Sequence, residues 1–265
     1  MKTKPLTIGS HEIGGKTFTV FAGPCAVESE ENFKTIGDFV KKQGAQGLRG
    51  GIYKLRTNPE SFQGLGEKAL PLVKKIKSEL GLLFVSEITD PRQRESLEDV
   101  VDIFQVGTRN MFNYELLKEL GKSTKAVLLK RNFSARIKEW LSAAEYLIKY
   151  GNDQVILCER GIRTFETEMR NTLDFNAVVY IKKNTSFPVI VDPSHGSGDR
   201  TLISSLAQGA VAVGADGLLL EVHSQPEKAL SDGQQSLGLE EFSRFMETLK
   251  RILPVFNREL YTSPV

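Results

Sequence analysis

The sequence predicts a single (β/α)8 barrel, the TIM-barrel fold, on three observations. Eight short apolar runs alternate with longer helical patterns along the chain. Most of these runs are nearly continuous in hydrophobicity, as in parallel strands that are buried on both faces. The chain has 265 residues, which is close to the length that eight strand–helix units need. An open doubly wound sheet is the structural alternative, and the count of eight and the length favour the barrel.

The predicted strands follow one another along the whole chain, each separated from the next by a helical pattern. They are TVFAG (19–23), GLRGGIYK (47–54), LLFVSEI (82–88), DIFQVG (102–107), AVLLKR (126–131), VILCERG (155–161), PVIVDPS (188–194) and GLLLEVH (217–223).

The segments between the strands carry helix start and stop signals. Residues 28–44 begin with acidic side chains and end with lysines and a glycine, an order that suits the helix dipole and a glycine C-cap. Residues 66–81 and 134–151 also end in glycine. Pro71 lies inside the former, so that helix is expected to begin late or to kink. Residues 237–253 form the last helix.

One domain accounts for these elements. Residues 19–252 form the barrel, residues 1–18 an N-terminal extension and residues 253–265 a C-terminal tail. Gly14 and Gly15 are flanked by β-compatible residues, which predicts a β-hairpin that covers the bottom of the barrel. The sequence contains no linker, no repeat at a solenoid period and no low-complexity stretch.

Composition excludes several classes of protein. The net charge of +2 argues against a general nucleic-acid surface. No apolar run approaches the roughly 20 residues of a membrane helix, and the N-terminus lacks the apolar region of a signal peptide. Cys25 and Cys158 give no disulfide framework and fit a reducing compartment. We therefore expect a cytoplasmic protein with no nucleic-acid or membrane partner.

Barrel active sites lie at the carboxyl ends of the strands, and all eight predicted strands end in reactive side chains. Cys25, His195, Glu221 and the later Asp232 combine thiolate, imidazole and carboxylate donors, a mixed set that suits a divalent transition metal. Taken singly, each has an ordinary explanation: a small buried hydrophobe, a loop histidine or a turn residue. They make a site only if the barrel brings them together.

A second group of strand-end residues is basic. Basic side chains that end buried strands are costly unless an anion neutralises them, and arginine matches phosphate and carboxylate in bidentate fashion. The group therefore predicts substrates with more than one anionic group. The alternative is a ring of salt bridges to the rim carboxylates Glu87, Glu159 and Asp192. The basic residues are Arg49, Lys54, Arg56, Arg109, Lys130 and Arg160.

Eight motifs occur in an order that is similar to one known family. They are GPCAVES, YKLRTNPESFQGLG, QVGTRNM, LLKRN, CERGIRTFE, DPSHGSG, LLLEVH and a late SDG. From about residue 15 to residue 250 the chain resembles the type I beta branch of the 3-deoxy-D-arabino-heptulosonate 7-phosphate (DAHP) synthases. The resemblance implies an unfused barrel that condenses phosphoenolpyruvate with erythrose 4-phosphate, the first step of the shikimate pathway. It also implies one divalent metal ion per subunit (Mn, Fe, Co or Zn) and a homodimer or homotetramer.

The resemblance implies a role for each site residue. Cys25, His195, Glu221 and Asp232 match the metal ligands. Lys130, Glu87, His195 and Asp192 are the expected catalytic residues, and Glu87 or the Asp192–His195 segment is expected to handle the protons of water. The expected substrate-binding residues are Arg49 and Lys54 for the carboxylate of phosphoenolpyruvate, Arg109, Lys130 and Arg160 for its phosphate, Gln105 beside them, and Arg56 and Thr57 for the phosphate of the aldose.

The chain departs from the family at the aldose-phosphate loop. The family motif Lys-Pro-Arg-Thr-Ser reads KLRTN here, with Leu55 for proline and Asn58 for serine. The alternative acceptor is arabinose 5-phosphate, used by 3-deoxy-D-manno-octulosonate 8-phosphate synthases. Their loop typically has one more residue between lysine and arginine, so the Lys54–Arg56 spacing favours DAHP synthesis.

Two further alternatives stay open at this point. Lys130 at a strand end is also compatible with a Schiff-base aldolase, and the barrel could bind sugar phosphates without turnover. Residues 1–18 and 253–265 are too few for a regulatory domain, so we expect no inhibition by phenylalanine or tyrosine.

Overall fold

Eight parallel strands close into a barrel in the computed structural model, which describes residues 3–261. The barrel closes because the last of them pairs with the first, from Gly217 beside Thr19 to Glu221 beside Gly23. Each of the eight predicted runs overlaps one of these strands. In chain order the strands are β1 (Leu6–Ile8), β2 (His11–Ile13), β3 (Thr17–Gly23), β4 (Gly47–Arg49), β5 (Leu83–Ile88), β6 (Ile103–Val106), β7 (Ala126–Lys130), β8 (Val155–Glu159), β9 (Val189–Val191), β10 (Gly217–Glu221) and β11 (Glu259–Leu260).

Helices surround the barrel on the outside. The α-helices are α1 (Glu30–Gln43), α2 (Leu70–Leu80), α3 (Arg94–Glu98), α4 (Tyr114–Leu120), α5 (Ile137–Lys149), α6 (Phe175–Asn184), α7 (Pro193–Ser197), α8 (Arg200–Ala212) and α9 (Leu239–Ile252). Short 3-10 helices span Gly66–Ala69, Pro91–Gln93, Thr108–Asn110, Pro226–Lys228, Gly233–Gln235 and Leu253–Phe256. Helix α7 is an extra turn at the end of β9. Among residues 3–261, no helix combines the length and the apolar character that crossing a membrane requires.

The end signals of the helices behave as the sequence predicts. Ser29 accepts a hydrogen bond from the Asn32 N–H (3.2 Å), and Gly44 ends α1 with a φ of 97°, a conformation that glycine adopts at low cost. Helix α2 begins late, after the 3-10 helix, with Pro71 in its first turn. The proline therefore lies where its missing N–H leaves no hydrogen bond unmade.

A hairpin forms and covers the bottom of the barrel as predicted, but its turn is at Gly9–Ser10 and not at Gly14–Gly15, which follow the second strand. Strands β1 and β2 are antiparallel, and the side chains of Leu6, Ile8 and Ile13 join the apolar cluster that fills the barrel interior. Leu83 and Ile103 in that cluster are the first residues of β5 and β6. The hairpin therefore closes the end opposite to the one that carries the predicted site.

The C-terminal tail is also tied to this bottom end. Strand β11 pairs in parallel with the start of β3, Glu259 beside Thr17. Fully buried Asp216 binds Lys182 of α6 (2.6 Å) and Arg258 of the tail (2.8 Å). A single carboxylate therefore links α6, the tail and the β9–β10 region.

Asp216→Ala should lower the free energy of unfolding by about 3 kcal/mol or more, because it leaves two cations near one buried position without their partner. Urea denaturation measures this loss. The matched control is Glu259→Ala, which removes an exposed carboxylate from the same tail. Equal free energies of unfolding of the two variants would contradict the role of Asp216 as the carboxylate that links α6 and the tail.

Candidate active site

A bowl of about 320 Å³ opens at the carboxyl ends of the barrel strands. Its charged lining is strongly positive, since seven basic side chains face only two carboxylates, Glu87 and Asp232. Such a concentration of guanidinium and ammonium groups predicts anionic ligands. The basic residues of the lining are Lys54, Arg56, Arg109, Lys130, Arg160, Arg163 and Arg170.

Three of the four predicted metal ligands meet at the floor of this bowl. One donor atom each from Cys25, Glu221 and Asp232 lies within 4.8 Å of the other two. Cys25 follows β3, Glu221 ends β10, and Asp232 belongs to the loop between β10 and α9. A sulfur donor with two carboxylates fits a divalent transition metal rather than Mg²⁺ or Ca²⁺, which prefer oxygen alone.

His195, the fourth predicted ligand, borders this group and touches one member of it. Its Nε2 lies 3.4 Å from Glu221 Oε1. Its Nδ1 lies 2.8 Å from Asp192 Oδ2 but is not oriented for a hydrogen bond, and has no hydrogen-bond partner among residues 3–261. Burial lowers the pKa of His195 to about 4, against the opposing effect of Asp192 and Glu221. The imidazole is therefore neutral at physiological pH, the form in which histidine binds metals.

The Glu221 carboxylate is fully buried and has a partner at each oxygen. Oε1 accepts from Arg49 at 2.6 Å, and Oε2 accepts from the Gln235 side chain at 2.6 Å. Burial alone would raise the pKa of Glu221, but the charge of nearby cations, Arg49 among them, outweighs it and holds the pKa below its usual value. Glu221 is therefore an anion oriented from two sides.

Cys25 is buried beneath the bowl, and Lys54 covers it. Its Sγ lies 2.6 Å from Lys54 Nζ, 3.1 Å from Asp232 Oδ2 and 3.3 Å from Ser231 Oγ. Burial, with Glu221 next in effect, raises the pKa of the thiol to about 12. Lys54 contacts Cys25 and Asp232 and also lines the bowl, so it lies between the proposed metal donors and the basic side chains of the lining.

The predicted phosphoenolpyruvate residues other than Arg49 line the bowl, but they differ in their partners. Lys130 donates to Asp192 at 2.7 Å, and both side chains are buried. Among residues 3–261, Arg160 donates to two carbonyl oxygens, those of Gly161 and His195, each at 3.1 Å, and these hydrogen bonds leave its charge uncompensated. Arg49 does not line the bowl and pairs with Glu221 beneath it, although its buried Nε has no hydrogen-bond partner among the described residues.

The remaining predicted substrate residues lie on the rim and wall. Arg109 donates to the Leu55 carbonyl (3.4 Å) and to Thr57 Oγ1 (3.3 Å), which joins the two predicted phosphate regions. Arg56 donates to Ser231 Oγ. Glu87 and Gln105 line the bowl as paired residues of β5 and β6.

The alternative explanation of the basic strand-end residues, a ring of salt bridges to rim carboxylates, holds for part of the rim. Glu159 pairs with Arg131 (3.0 Å), a basic residue outside the lining of the bowl, and Asp192 pairs with Lys130. Glu87, the third carboxylate considered, lines the bowl itself. The seven basic side chains of the lining therefore exceed what these carboxylates neutralise.

Sequence reasoning missed two residues of the site. Arg170 lines the bowl from the β8–α6 loop and donates to Gln235 Oε1 at 2.6 Å, and Gln235 in turn holds Glu221. Neither follows a strand directly, so reading strand ends alone does not find them. A search of the longer loops for basic residues would have found Arg170.

The comparisons with known proteins agree with this geometry. The family profile described as the DAHP synthetase I family matches residues 5–255. The chain belongs to this family. A phospho-2-dehydro-3-deoxyheptonate aldolase of Thermotoga maritima is 46% identical over 93% of this chain and 73% of that protein. A 2-dehydro-3-deoxyphosphooctonate aldolase of Geobacter sulfurreducens is 31% identical over 94% of this chain and 98% of its own length.

Two solved structures of Thermotoga maritima proteins share the fold. The crystal structure of its phospho-2-dehydro-3-deoxyheptonate aldolase (DAHP synthase) superimposes with a TM-score of 0.95 at 43% identity, over 98% of this chain and 76% of that one. A truncated form of the 3-deoxy-D-arabino-heptulosonate 7-phosphate synthase gives a TM-score of 0.92 at 41% identity, over 98% and 95% of the two chains. The predicted family and barrel are thereby confirmed.

Alkylation of Cys25 should be slow at pH 7 and should speed up about tenfold per pH unit well above pH 9, because only the thiolate reacts and the pKa of the thiol is raised to about 12. Iodoacetamide labelling of a Cys158→Ser variant, followed by mass spectrometry, isolates this thiol. A plateau near the ordinary thiol pKa of about 8.5 would contradict the raised pKa. Labelling after denaturation is the control.

Proposed function

We propose that this chain condenses phosphoenolpyruvate with erythrose 4-phosphate to give DAHP and phosphate, with a divalent metal ion held by Cys25, His195, Glu221 and Asp232. The observation that carries the proposal is that this donor group, of which His195 and Asp232 line the bowl, adjoins the seven basic side chains of the lining. Membership of the DAHP synthetase I family and the 46% identical relative support the choice of substrates.

The metal-ligand assignment is supported by the chemistry of the donors. The thiol, the carboxylates and the neutral imidazole suit Mn²⁺, Fe²⁺, Co²⁺ or Zn²⁺. When bound, such an ion supplies Lewis-acid polarisation of a carbonyl oxygen, here that of the aldehyde. The protein supplies the orientation, since Arg49 and Gln235 hold both oxygens of Glu221.

Phosphoenolpyruvate is proposed to lie across the basic part of the bowl. Lys54 binds its carboxylate, whereas Arg49, predicted for the same carboxylate, lies beneath the bowl and pairs with Glu221 instead. Arg160, Lys130 and Arg109 bind its phosphate. Arg160 supports this assignment best, because its contacts in the chain are neutral carbonyl oxygens and a phosphate would supply the missing negative charge. Gln105 lines the wall beside these groups and can donate one hydrogen bond from its amide.

The atoms and electrons balance. The C2=C3 π electrons of phosphoenolpyruvate form a bond from C3 to the aldehyde carbon, and the aldehyde C=O becomes a hydroxyl. Water adds at C2 and supplies the proton of that hydroxyl. The C2–O bond to phosphate then breaks, the remaining water proton leaves with the phosphate, and C2 becomes a ketone. The two substrates and one water thus give DAHP and phosphate. Arg109, Lys130 and Arg160 stabilise the charge on the departing phosphate because their positions are set before the reaction. Glu87 or the Asp192–His195 pair is proposed to take and return the protons of water.

The aldose phosphate is proposed to bind at Arg56 and Thr57. Both line the bowl, together with Leu55 and Asn58. Asn58 is exposed and can donate from its amide, so it can replace the hydroxyl of the usual serine. The 31% identity to octulosonate-type relatives leaves arabinose 5-phosphate as the second acceptor to test.

Lys130 is poorly suited to a Schiff-base mechanism. Its Nζ donates to the buried Asp192 carboxylate at 2.7 Å. The nitrogen is therefore engaged in an ion pair, whereas a Schiff base needs an amine that is available to attack a carbonyl carbon. Two other expectations from the sequence stay predictions: that the chain assembles as a homodimer or homotetramer, and that it is located in the cytoplasm.

Release of phosphate from phosphoenolpyruvate tests the function directly. Purified protein should release phosphate with Mn²⁺ and erythrose 4-phosphate, lose this activity on chelation and regain it when metal is restored. Arabinose 5-phosphate, offered in parallel, should be a poor acceptor. Turnover with the five-carbon sugar only would move the chain to the octulosonate reaction, and turnover that survives complete chelation would contradict the metal site.

Arg109→Met should lower kcat/KM for phosphoenolpyruvate by about 10- to 100-fold, because a hydrogen bond to a charged group contributes about 1.5–3 kcal/mol. Arg109 is exposed, so the free energy of unfolding should stay unchanged. Arg244→Met on α9 is the matched control, since it removes an exposed arginine outside the bowl. Similar kinetics of the two variants would exclude a phosphate contact by Arg109.

A further inference from the structure

Besides the contacts of Cys25 Sγ with Ser231 and Asp232, a side chain to backbone hydrogen bond joins the two loops that carry Cys25 and Asp232. Glu28, three residues after Cys25, accepts from the backbone N–H of Leu230 at 2.8 Å. Leu230 precedes Asp232 by two residues in the β10–α9 loop. This side-chain contact therefore spans the two loops close to both proposed ligands.

Glu28 is itself held firmly. Its side chain is 11% exposed, and its Oε2 lies 3.3 Å from His223 Nε2. His223 is buried and also lies 2.8 Å from the Asn32 amide in the first turn of α1. His223 thus follows the last barrel strand but serves the loop contact rather than the bowl. A carboxylate fixed from both sides can set the position of a flexible neighbour.

The loop that Glu28 contacts needs such an anchor. Asp232 has a φ of 54° and a ψ of 31°, a left-handed conformation that costs a residue other than glycine about 1 kcal/mol or more. Its carbonyl accepts from Ser236 Oγ (3.1 Å) and from the Gln235 N–H (3.2 Å), both on the α9 side. The Glu28–Leu230 bond anchors the preceding side, where the Asp232 carboxylate lies 3.1 Å from Cys25 Sγ.

We propose that Glu28 is a positioning residue: by accepting the Leu230 N–H, it holds Asp232 against Cys25 and so sets the spacing of the metal donors. The inference rests on the proposed function, because it takes Cys25 and Asp232 as ligands. Glu28 contacts neither substrate nor metal in this proposal. It acts through the backbone of the loop.

A purely structural role makes a different prediction. Loss of a buried acceptor would lower the free energy of unfolding while the spacing of the donors, and hence the affinity for metal, stayed the same. A positioning role, in contrast, lowers the affinity of the folded protein for metal. Direct measurement of metal binding by the folded protein therefore distinguishes the positioning role from the purely structural one.

The experiment is titration of chelator-treated protein with Co²⁺, followed by the thiolate-to-cobalt charge-transfer band. Glu28→Ala should bind Co²⁺ about 10- to 100-fold more weakly, with a weaker or shifted band. Glu28→Gln should bind Co²⁺ clearly more tightly than Glu28→Ala, because its amide oxygen still accepts the Leu230 N–H, although its NH2 group then faces His223 Nε2. Glu31→Ala, an exposed carboxylate in the first turn of α1, is the matched control.

Three results would overturn the inference. Equal Co²⁺ affinity and an unchanged band in Glu28→Ala would show that the spacing does not depend on Glu28. A loss in Glu28→Gln as large as in Glu28→Ala would exclude the hydrogen bond as the cause. A similar loss in Glu31→Ala would show that metal affinity depends on the negative charge at the start of α1 in general, and not on the hydrogen bond that Glu28 makes.

Two controls keep the inference separate from folding and from the proposed function. Circular dichroism and urea denaturation of the metal-free variants establish that Glu28→Ala is folded during the titration. Absence of the thiolate band in wild type would overturn the proposed metal site itself and this inference with it. A wild-type band that Glu28→Ala reproduces in full overturns the inference alone.

Discussion

Glu221 is the buried charge around which the site is arranged. Its carboxylate has no exposure to water, and burial of an uncompensated anion would be strongly unfavourable. Arg49 and Gln235 satisfy its two oxygens, and His195 lies next to it. Each partner comes from a different segment: β4, the β10–α9 loop and α7. Burying this one carboxylate therefore constrains three parts of the barrel end at once.

A second buried carboxylate works in the same way. Asp192 accepts from the backbone N–H of His195 and pairs with Lys130, and these contacts outweigh burial and hold its pKa well below its usual value. The His195 ring lies between two carboxylates, with Asp192 beside Nδ1 and Glu221 beside Nε2. The floor of the bowl is electrostatically balanced among its own side chains, whereas the wall carries excess positive charge. The proposed substrates, with two phosphates and a carboxylate between them, supply the charge that the wall lacks.

Lys54 lies where the proposed metal site and the proposed anion-binding part of the bowl adjoin. Its ammonium contacts Cys25 and Asp232, both proposed metal ligands, and it also lines the bowl where anions are expected. Lys54 lies between the donors and the phosphoenolpyruvate region, so a shift of this one side chain affects both. Residues beyond the bowl, such as Gln235 and Glu28, then matter because they hold the loop on the far side of the donors.

The sequence by itself determined the barrel, the existence of a closing hairpin though not the position of its turn, and the chemical types at the strand ends. These follow from local rules: buried parallel strands are continuously apolar, helices end at glycine, and strand ends face one rim. The positions of Arg109, Lys130 and Arg160 just after or at the end of apolar runs were therefore enough to assign all three to one bowl.

Only the tertiary structure decided which of these side chains touch. Cys25 and Asp232 are 207 positions apart and meet at 3.1 Å because β10 closes on β3. Arg49 proved to lie beneath the bowl, and Arg170 entered it from a loop, since side-chain direction beyond a strand end depends on packing around it. Contacts between distant segments are set by barrel closure and by the pairing of buried charges, and neither leaves a local trace in the sequence.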